Sequence, residues 1–231
     1  MVSNILQFNC SLFQEINAPA GSHPLIDILM IFGANWLIFC WPLFLLMVWG
    51  IPLSWRKRPL QPDEAKILLE RRALVVWVAF ACFLAYGLNL LIERFLFEPR
   101  PFINHKVHLL LAHANDASFP SDHTAWSFAV VGMLFFGVLP FAIAPLKQRP
   151  GVVYGVSFAQ LRVPGLLFLA SFMIACAIGV ARIYVGVHYP GDILGGTLDG
   201  LIAAFVVTFV RWWLRQPTNT VQRFAQVLHL A

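Results

Sequence analysis

Long apolar runs separated by short polar segments form the main pattern of this chain. Five of the runs are long enough, or nearly so, to cross a bilayer, because a membrane-spanning helix needs about 20 mostly apolar residues. The pattern therefore predicts an all-α fold, a polytopic membrane helix bundle with about five transmembrane helices, in a single domain of residues 1–231. The predicted spans cover residues 28–53, 73–92, 124–146, 163–180 and 193–210.

The first 22 residues follow a different pattern. Apolar side chains alternate there with polar ones, including Glu15, at helical spacing, and no basic cluster precedes them. The sequence Ala-Pro-Ala-Gly interrupts the pattern at residues 18–21. A secretory signal peptide usually begins with basic residues. Residues 1–22 are therefore predicted to form an amphipathic interfacial helix rather than a cleaved signal.

Basic residues indicate which loops face the cytoplasm, because cytoplasmic loops carry an excess of Lys and Arg near the span ends. Twelve of the 16 Lys and Arg residues lie between the first and second runs, between the third and fourth, or after the fifth. Segments 56–72 and 147–162 are therefore predicted to be cytoplasmic loops. Segments 93–123 and 181–192 then face the outside, and they hold the remaining basic residues: Arg94, Arg100, Lys106 and Arg182.

Composition agrees with a membrane protein. The chain is 59% apolar and 12% charged, with a mean hydropathy of +0.74. The net charge of +5 comes from residues at the span ends, so nucleic acid is not expected as a partner. The four cysteines have no metal-like spacing and three lie in apolar runs, so we expect neither a disulfide nor a metal site. They are Cys10, Cys40, Cys82 and Cys176.

Three short polar strings beside the apolar runs carry the candidate chemistry. They are EPRP at residues 98–101, PSDHT at 120–124 and ARIYVGVHYPGD at 181–192. The predicted topology brings all three to the outer face, where they gather two arginines, two histidines and two aspartates. This set suits a phosphate ester, because a phosphoryl group needs fixed donors for its negative charge.

Each residue type has a role in such a site. Arg100 and Arg182 offer planar guanidinium groups for phosphate oxygens, and Ser121 is placed to cap a helix whose free amides also bind anions. His188 is the predicted nucleophile, because Asp192 four residues later can hold one ring nitrogen and leave the other free. His123 is then the predicted acid for the leaving group.

Taken singly, each of these residues also fits a structural role. Ser121 can act only as a helix cap, and Asp192 can simply favour a helix N-terminus. Their joint occurrence on one face of the membrane favours function, because ionisable groups at a membrane are costly without a use.

These motifs resemble the type 2 phosphatidic acid phosphatase family. The family pattern is Lys, six residues, Arg-Pro; then Pro-Ser-Gly-His; then Ser-Arg, five residues, His, three residues, Asp. The resemblance implies a haloperoxidase-like helical membrane fold and a reaction without metal or other cofactor. It also implies a phosphohistidine at His188, oriented by Asp192, with His123 as general acid.

Three positions depart from the family pattern. Glu93 stands where the family has its lysine, seven residues before Arg100, so that phosphate contact is lost unless Arg94 or Lys106 replaces it. Ala181 replaces the motif serine. Asp122 replaces the motif glycine, and its carboxylate should repel a phosphate unless it is paired or turned outward.

The strings FEPRPF and HANDASFPSDHT resemble one branch of the family, the undecaprenyl-diphosphate phosphatases of the bacitracin-resistance type. This resemblance implies a hydrolase that removes the terminal phosphate of a polyprenyl diphosphate lipid at the outer face of the bacterial cytoplasmic membrane. The product would return to peptidoglycan synthesis as a lipid carrier. The implied partners are this substrate and membrane lipids, with no protein partner.

Two alternatives remain open from the sequence. A phosphatase of the same family for phosphatidylglycerophosphate, phosphatidate or lipid A would share every catalytic residue and differ in the groove for the lipid tail. A non-catalytic lipid carrier or a transporter subunit would use the spans without using the histidines. Nothing in the motifs separates the first alternative from the diphosphate assignment.

Overall fold

The described part of the chain is almost entirely helical, as predicted. The computed structural model describes residues 2–50, 61–136, 165–211 and 213–228. No strand occurs in these ranges, and Pro99 and Ala117 form an isolated β-bridge. The helices are α1 Val2–Asn17, α2 Pro24–Asn35, a 3-10 turn Leu37–Phe39, α3 Cys40–Trp49, α4 Pro62–Phe95, α5 Pro101–Asn104, α6 Asp122–Phe136, α7 Gly165–Tyr184, α8 Pro190–Val210 and α9 Arg215–Val227.

Several of these helices are long and apolar enough to cross a membrane. Within the described ranges they are Ile67–Phe95 of α4, all of α7 and all of α8, and α2 with Leu37–Trp49 forms a bent pair that qualifies as a fourth. A polytopic helix bundle is thereby confirmed. The remaining predicted span, 124–146, begins as α6; its residues beyond Phe136 lie outside the described part, as does the predicted loop 147–162.

The first apolar run is broken rather than continuous. A single helix was predicted over residues 28–53, but α2 ends at Asn35, and the axis bends by 47° before Leu37–Trp49. Pro42 explains the break, because proline has no N–H to donate to the carbonyl of Ile38 and its ring crowds that carbonyl. The chain therefore tightens into a 3-10 turn before α3 begins at Cys40.

The predicted loop at 56–72 is wrong over its second part. Residues 62–72 are the first turns of α4, and residues 56–60 lie outside the described ranges. The helix starts here because Pro62 occupies its first position and the Gln61 amide donates to Glu64 Oε2 at 3.1 Å in a capping box. Good helix formers between Glu64 and Arg72 continue it.

Helices α6 and α8 pack backbone against backbone at the centre of the bundle. A Cβ on Gly200 would lie 2.2 Å from the carbonyl oxygen of Ala125, and one on Gly196 would lie 2.5 Å from that of Ser121. Only glycine permits this approach. As a result the Ser121 amide donates to the Asp192 carbonyl at 3.1 Å, which joins two of the motif segments directly.

Helix α1 occurs where an N-terminal helix was predicted, and it is fastened to the start of α8. Phe13 is buried edge-on against Tyr189 with ring centroids 5.4 Å apart, and Asn9 Oδ1 accepts the Gly191 amide at 2.8 Å. The Asn17 side chain bonds to the carbonyls of Tyr184 and His108. These contacts hold the loop before α8 from the side.

The close α6–α8 packing predicts different effects for two glycine substitutions. Gly200→Ala should lower the thermal stability in detergent, because overpacking against backbone costs about 1–3 kcal/mol. Gly87→Ala is the control, since Gly87 is exposed on α4 with open space around it and alanine favours a helix by up to about 1 kcal/mol. Equal melting temperatures for the two variants would contradict the packing described here.

Candidate active site

His188 occupies the centre of the site, in the buried loop between α7 and α8. Arg100 Nη1 and Arg182 Nη2 each lie 3.2 Å from its Nε2. A guanidinium group can only donate, so Nε2 accepts both bonds and the ring proton is on Nδ1. His188 therefore presents the lone pair of Nε2 to the two arginines.

The opposite side of the His188 ring is held by Ser118 and Asp192. Nδ1 donates to the Ser118 carbonyl at 2.9 Å and faces Asp192 Oδ2 at 3.3 Å. The same oxygen of Asp192 accepts the Tyr189 amide at 2.7 Å and the Ser118 hydroxyl. Asp192 is fully buried in the first turn of α8, so its orientation is fixed by these donors.

Arg100 is positioned by the segment that precedes α5. The Ser118 amide donates to the Glu98 carbonyl at 2.7 Å, next to the bridge between Pro99 and Ala117. Arg100 Nη1 also donates to the Val187 carbonyl at 3.0 Å, and Nε donates to Asp116 Oδ1 at 2.6 Å. Arg100 thus joins two loops to the histidine.

Arg182 comes from the last turn of α7 and is 3% exposed. Its Nη1 donates to the carbonyl of Ala34 near the end of α2, at 3.4 Å. Among the described residues, Arg182 Nε has no acceptor. An orphaned buried donor beside an arginine-lined pocket suits an anionic ligand.

The loop before α6 contributes two residues that the sequence reasoning did not single out. His113 Nε2 lies 3.0 Å from Arg182 Nη2, and its ring centroid lies 6.5 Å from that of His188. Asp116 pairs with Arg100, although its side chain is 57% exposed. Both residues, like Ser118, fall inside the string HANDASFPSDHT, which was used only as a resemblance.

The residues of the second motif are placed on both sides of the pocket wall. His123 and Asp122 line the cavity, whereas the Ser121 side chain is buried outside its lining and accepts a bond from Thr124 Oγ1 at 3.2 Å. The structure therefore places Ser121 at the helix start but behind the wall. Asp122 is held by the amide of Asn89, at 2.7 Å from Oδ1, and not by an arginine.

Glu93, at the lost lysine position, and its two candidate replacements, Arg94 and Lys106, are also separated. Glu93 lines the cavity from the end of α4. Arg94 and Lys106 are exposed and do not line it, so the structure does not bring them to the site. Among the described residues, the Arg and Lys side chains that line the cavity are those of Arg100 and Arg182.

The cavity itself has a volume of about 1150 Å³ and two chemically distinct parts. Its polar end contains the charged and imidazole side chains named above. Its other walls are apolar and come from the bent pair α2–α3, from α4 and from α6; they include Trp36, Phe39, Leu45, Phe83, Leu90 and Trp126.

Electrostatics in the polar end favour an uncharged His188. Burial, followed by electrostatic interactions with Arg182, Arg100 and His113, holds the pKa of His188 well below its ordinary value. Burial and the charges of Arg100 and Arg182 also lower the pKa of His113. Within the described residues, no group of three or more His, Cys, Asp or Glu side chains is arranged to hold a metal ion.

The sequence of this chain is similar to those of known membrane phosphatases. A family model described as the PAP2 superfamily matches residues 74–216, which include every motif segment, and the chain belongs to this superfamily. It is 30% identical to "Undecaprenyl-diphosphatase BcrC" of Bacillus subtilis (strain 168), over 95% of this chain and 93% of that protein. It is 32% identical to "Putative undecaprenyl-diphosphatase YbjG" of Escherichia coli (strain K12), over 93% of this chain and 87% of that protein.

A solved structure has the same fold. It is a transmembrane PAP2 type phosphatidylglycerolphosphate phosphatase from Bacillus subtilis, with a TM-score of 0.55 and 19% identity, covering 92% of this chain and 88% of that one. The predicted fold class is thereby confirmed. Family, relatives and apolar helices together support an integral membrane lipid phosphatase acting on a lipid substrate.

The hydrogen bonds around His188 predict its protonation state. A lowered pKa keeps the His188 ring uncharged at neutral pH. Its second proton should therefore bind only at a pH below the ordinary histidine pKa of about 6.5. Nitrogen NMR of histidine-labelled protein in detergent, assigned with His188→Gln, should show the Nδ1–H form unchanged between about pH 8 and about pH 6.5. Protonation at or above the ordinary range would contradict this arrangement.

Proposed function

We propose that the protein is an undecaprenyl-diphosphate phosphatase that releases the terminal phosphate of its lipid substrate through a phosphohistidine at His188. The observation that carries the proposal is the environment of His188 Nε2. This lone pair faces two guanidinium groups at 3.2 Å, while Ser118 and Asp192 hold the other ring nitrogen. A nucleophile and its phosphate donors are therefore assembled in one place.

The first chemical step is attack by Nε2 on the terminal phosphorus. The P–N bond forms, the bond from phosphorus to the bridging oxygen breaks, and its electron pair leaves with the lipid monophosphate. Arg100 and Arg182 stabilise the charge on the phosphoryl oxygens. Asp192 stabilises the ring as it becomes positively charged, as carboxylates do for other catalytic histidines.

In the second step, water attacks the phosphohistidine and releases inorganic phosphate and neutral His188. The new P–O bond forms as the P–N bond breaks, and the electron pair of that bond returns to Nε2. His123 lines the same cavity and takes the proton of this water. After a monoester it can do so because it has given its own proton to the leaving group, whereas with the diphosphate, whose leaving group needs no proton, it reacts as the neutral imidazole. Ser121 acts through the helix start rather than by a direct side-chain contact. The hydrogen bond from the Ser121 backbone N–H to the Asp192 carbonyl keeps the first turns of α6 and α8 together.

The substrate assignment draws on two supports. Two relatives match this chain over most of its length, at 30% and 32% identity. The first is named an undecaprenyl-diphosphatase and the second a putative one. The apolar part of the cavity adjoins the polar end, as a site for a phosphorylated lipid with a long hydrocarbon tail requires. The positive-inside pattern supports an active site on the outer face of the bacterial cytoplasmic membrane.

The decisive test compares phosphate release by the wild type and His188→Ala in detergent with EDTA, using undecaprenyl diphosphate and phosphatidylglycerophosphate as substrates. Loss of the nucleophile should lower kcat by at least about a thousandfold. His108→Ala is the matched control, since His108 is exposed and outside the cavity lining. The wild type should prefer the diphosphate.

Each other outcome points to a named alternative. Preference for the glycerolipid would reassign the substrate within the family and leave the mechanism intact. Release that persists in His188→Ala would overturn the phosphohistidine. If the wild type hydrolyses neither lipid and the His188→Ala variant retains its function in cells, a carrier or transporter subunit would be favoured.

The identity of the leaving group predicts a second, finer difference. A diphosphate releases a phosphate oxygen whose second pKa is near about 6, so it leaves at neutral pH without a proton. A phosphate monoester releases an alkoxide, which needs one. His123→Gln should therefore lower kcat/KM for phosphatidate by about a hundredfold or more. The factor by which it lowers kcat/KM for the diphosphate should be smaller by about tenfold or more. Equal losses on the two substrates would show that His123 is not the leaving-group acid.

A further inference from the structure

We infer that His113 and Asp116 are positioning residues that brace the two phosphate-binding arginines of this site from one loop. The inference rests on the proposed function of Arg100 and Arg182, and it assigns a role to two residues outside the three family motifs. The loop reaches both guanidinium groups, whereas Arg100 comes from the segment before α5 and Arg182 from the last turn of α7. The brace therefore links two elements that no motif connects.

His113 acts through Arg182. Arg182 Nη2 has two hydrogens, and it lies 3.0 Å from His113 Nε2 and 3.2 Å from His188 Nε2. Because a guanidinium group only donates, both imidazoles accept, and one Nη2 hydrogen is directed at each ring. His113 thus fixes the plane of the guanidinium whose other hydrogen points at the nucleophile.

The acceptor role of His113 requires its proton on Nδ1. That nitrogen lies 3.4 Å from the Ala114 carbonyl and 3.6 Å from Asp116 Oδ1, so its proton faces acceptors. Asp116 Oδ1 also accepts from Arg100 Nε at 2.6 Å. One carboxylate oxygen therefore faces both His113 and Arg100, and the chain of contacts runs from Arg100 through the loop to Arg182.

Protonation of His113 would break this chain, since an imidazolium has no lone pair for Arg182. It would also place a third cation beside the two arginines. The charges that face His113 keep this from happening at neutral pH: burial, Arg100 and Arg182 lower its pKa, and the Ala114 carbonyl and Asp116 only partly oppose them. The other acidic, basic and imidazole side chains that line the cavity with His113 are those of Glu93, Arg100, Asp116, Asp122, His123, Arg182 and His188.

Paired substitutions separate a brace from general stability. Gln at position 113 keeps an acceptor for Arg182 and cannot become cationic, and Asn at position 116 keeps the oxygen that accepts from Arg100. His113→Ala and Asp116→Ala remove these acceptors. The measurement is kcat, KM and the inhibition constant of inorganic phosphate for all four variants and for the exposed-residue control His108→Ala.

His113→Ala and Asp116→Ala should each lower kcat/KM by about tenfold to a hundredfold, by analogy with the loss of residues that orient metal ligands. Both should also weaken inhibition by inorganic phosphate. His113→Gln and Asp116→Asn should restore each quantity to within about threefold of the wild type. Alanine and amide variants that behave alike would overturn the brace.

The pH profile gives a readout that a purely structural role does not change. The acid limb of kcat/KM in the wild type should include protonation of His113, so His113→Gln should extend activity to lower pH. An unchanged acid limb in His113→Gln would remove His113 from the proposal.

Failure of the brace and failure of the proposed function are distinguishable. If the wild type prefers a phosphate monoester, the substrate proposal fails, and the same variants are compared on that monoester. If His188→Ala is active, the mechanism fails regardless of position 113. If His188→Ala is inactive and His113→Ala matches the wild type, the brace alone is wrong.

Discussion

The site depends on one arrangement, the convergence of two guanidinium groups on a single imidazole nitrogen. Two buried cations repel each other, and such charges are tolerated when hydrogen bonds and counter-charges compensate them. The carbonyls of Val187 and Ala34 and the carboxylate of Asp116 supply that compensation. In the proposed function, a phosphoryl group bound by the two arginines would add further negative charge to this arrangement.

The helix packing serves this convergence. Arg100 lies before α5, Arg182 at the end of α7 and His188 in the loop between α7 and α8. Their side chains meet only if the helices that anchor these segments keep fixed positions. Gly196 and Gly200 bring α8 against the backbone of α6. Gly33 lets α2 approach the side chain of Ala181 on α7, because a Cβ on Gly33 would lie 3.0 Å from the Ala181 Cβ. Ala181 stands where the family has a serine, and a small residue suits this contact.

The sequence allowed the fold class to be predicted, and it indicated the central candidate residues, for physical reasons. Apolar runs of spanning length have few alternatives in a membrane. The relation of His188, in the loop just before α8, to Asp192, in the first turn of α8, is short-range along the chain. Tertiary contacts were harder to foresee. Ser118, His113 and Asp116 lie in a loop without periodicity, and the burial of Ser121 behind the wall depends on how α6 meets α8. The bend at Trp36 follows from Pro42, which bilayer helices often tolerate.

The carbonyl of Ala34 lies at the point where two roles of the α2–α3 pair meet. The pair forms an apolar wall of the cavity, and its Ala34 oxygen accepts a bond from Arg182. A hydrocarbon chain that displaced α2 would therefore also displace Arg182, which binds the phosphate in the proposed mechanism. Binding energy gained far from the reacting phosphorus can in this way be expressed in the rate of bond breaking, so that a lipid with a poorly fitting tail would lose turnover as well as affinity.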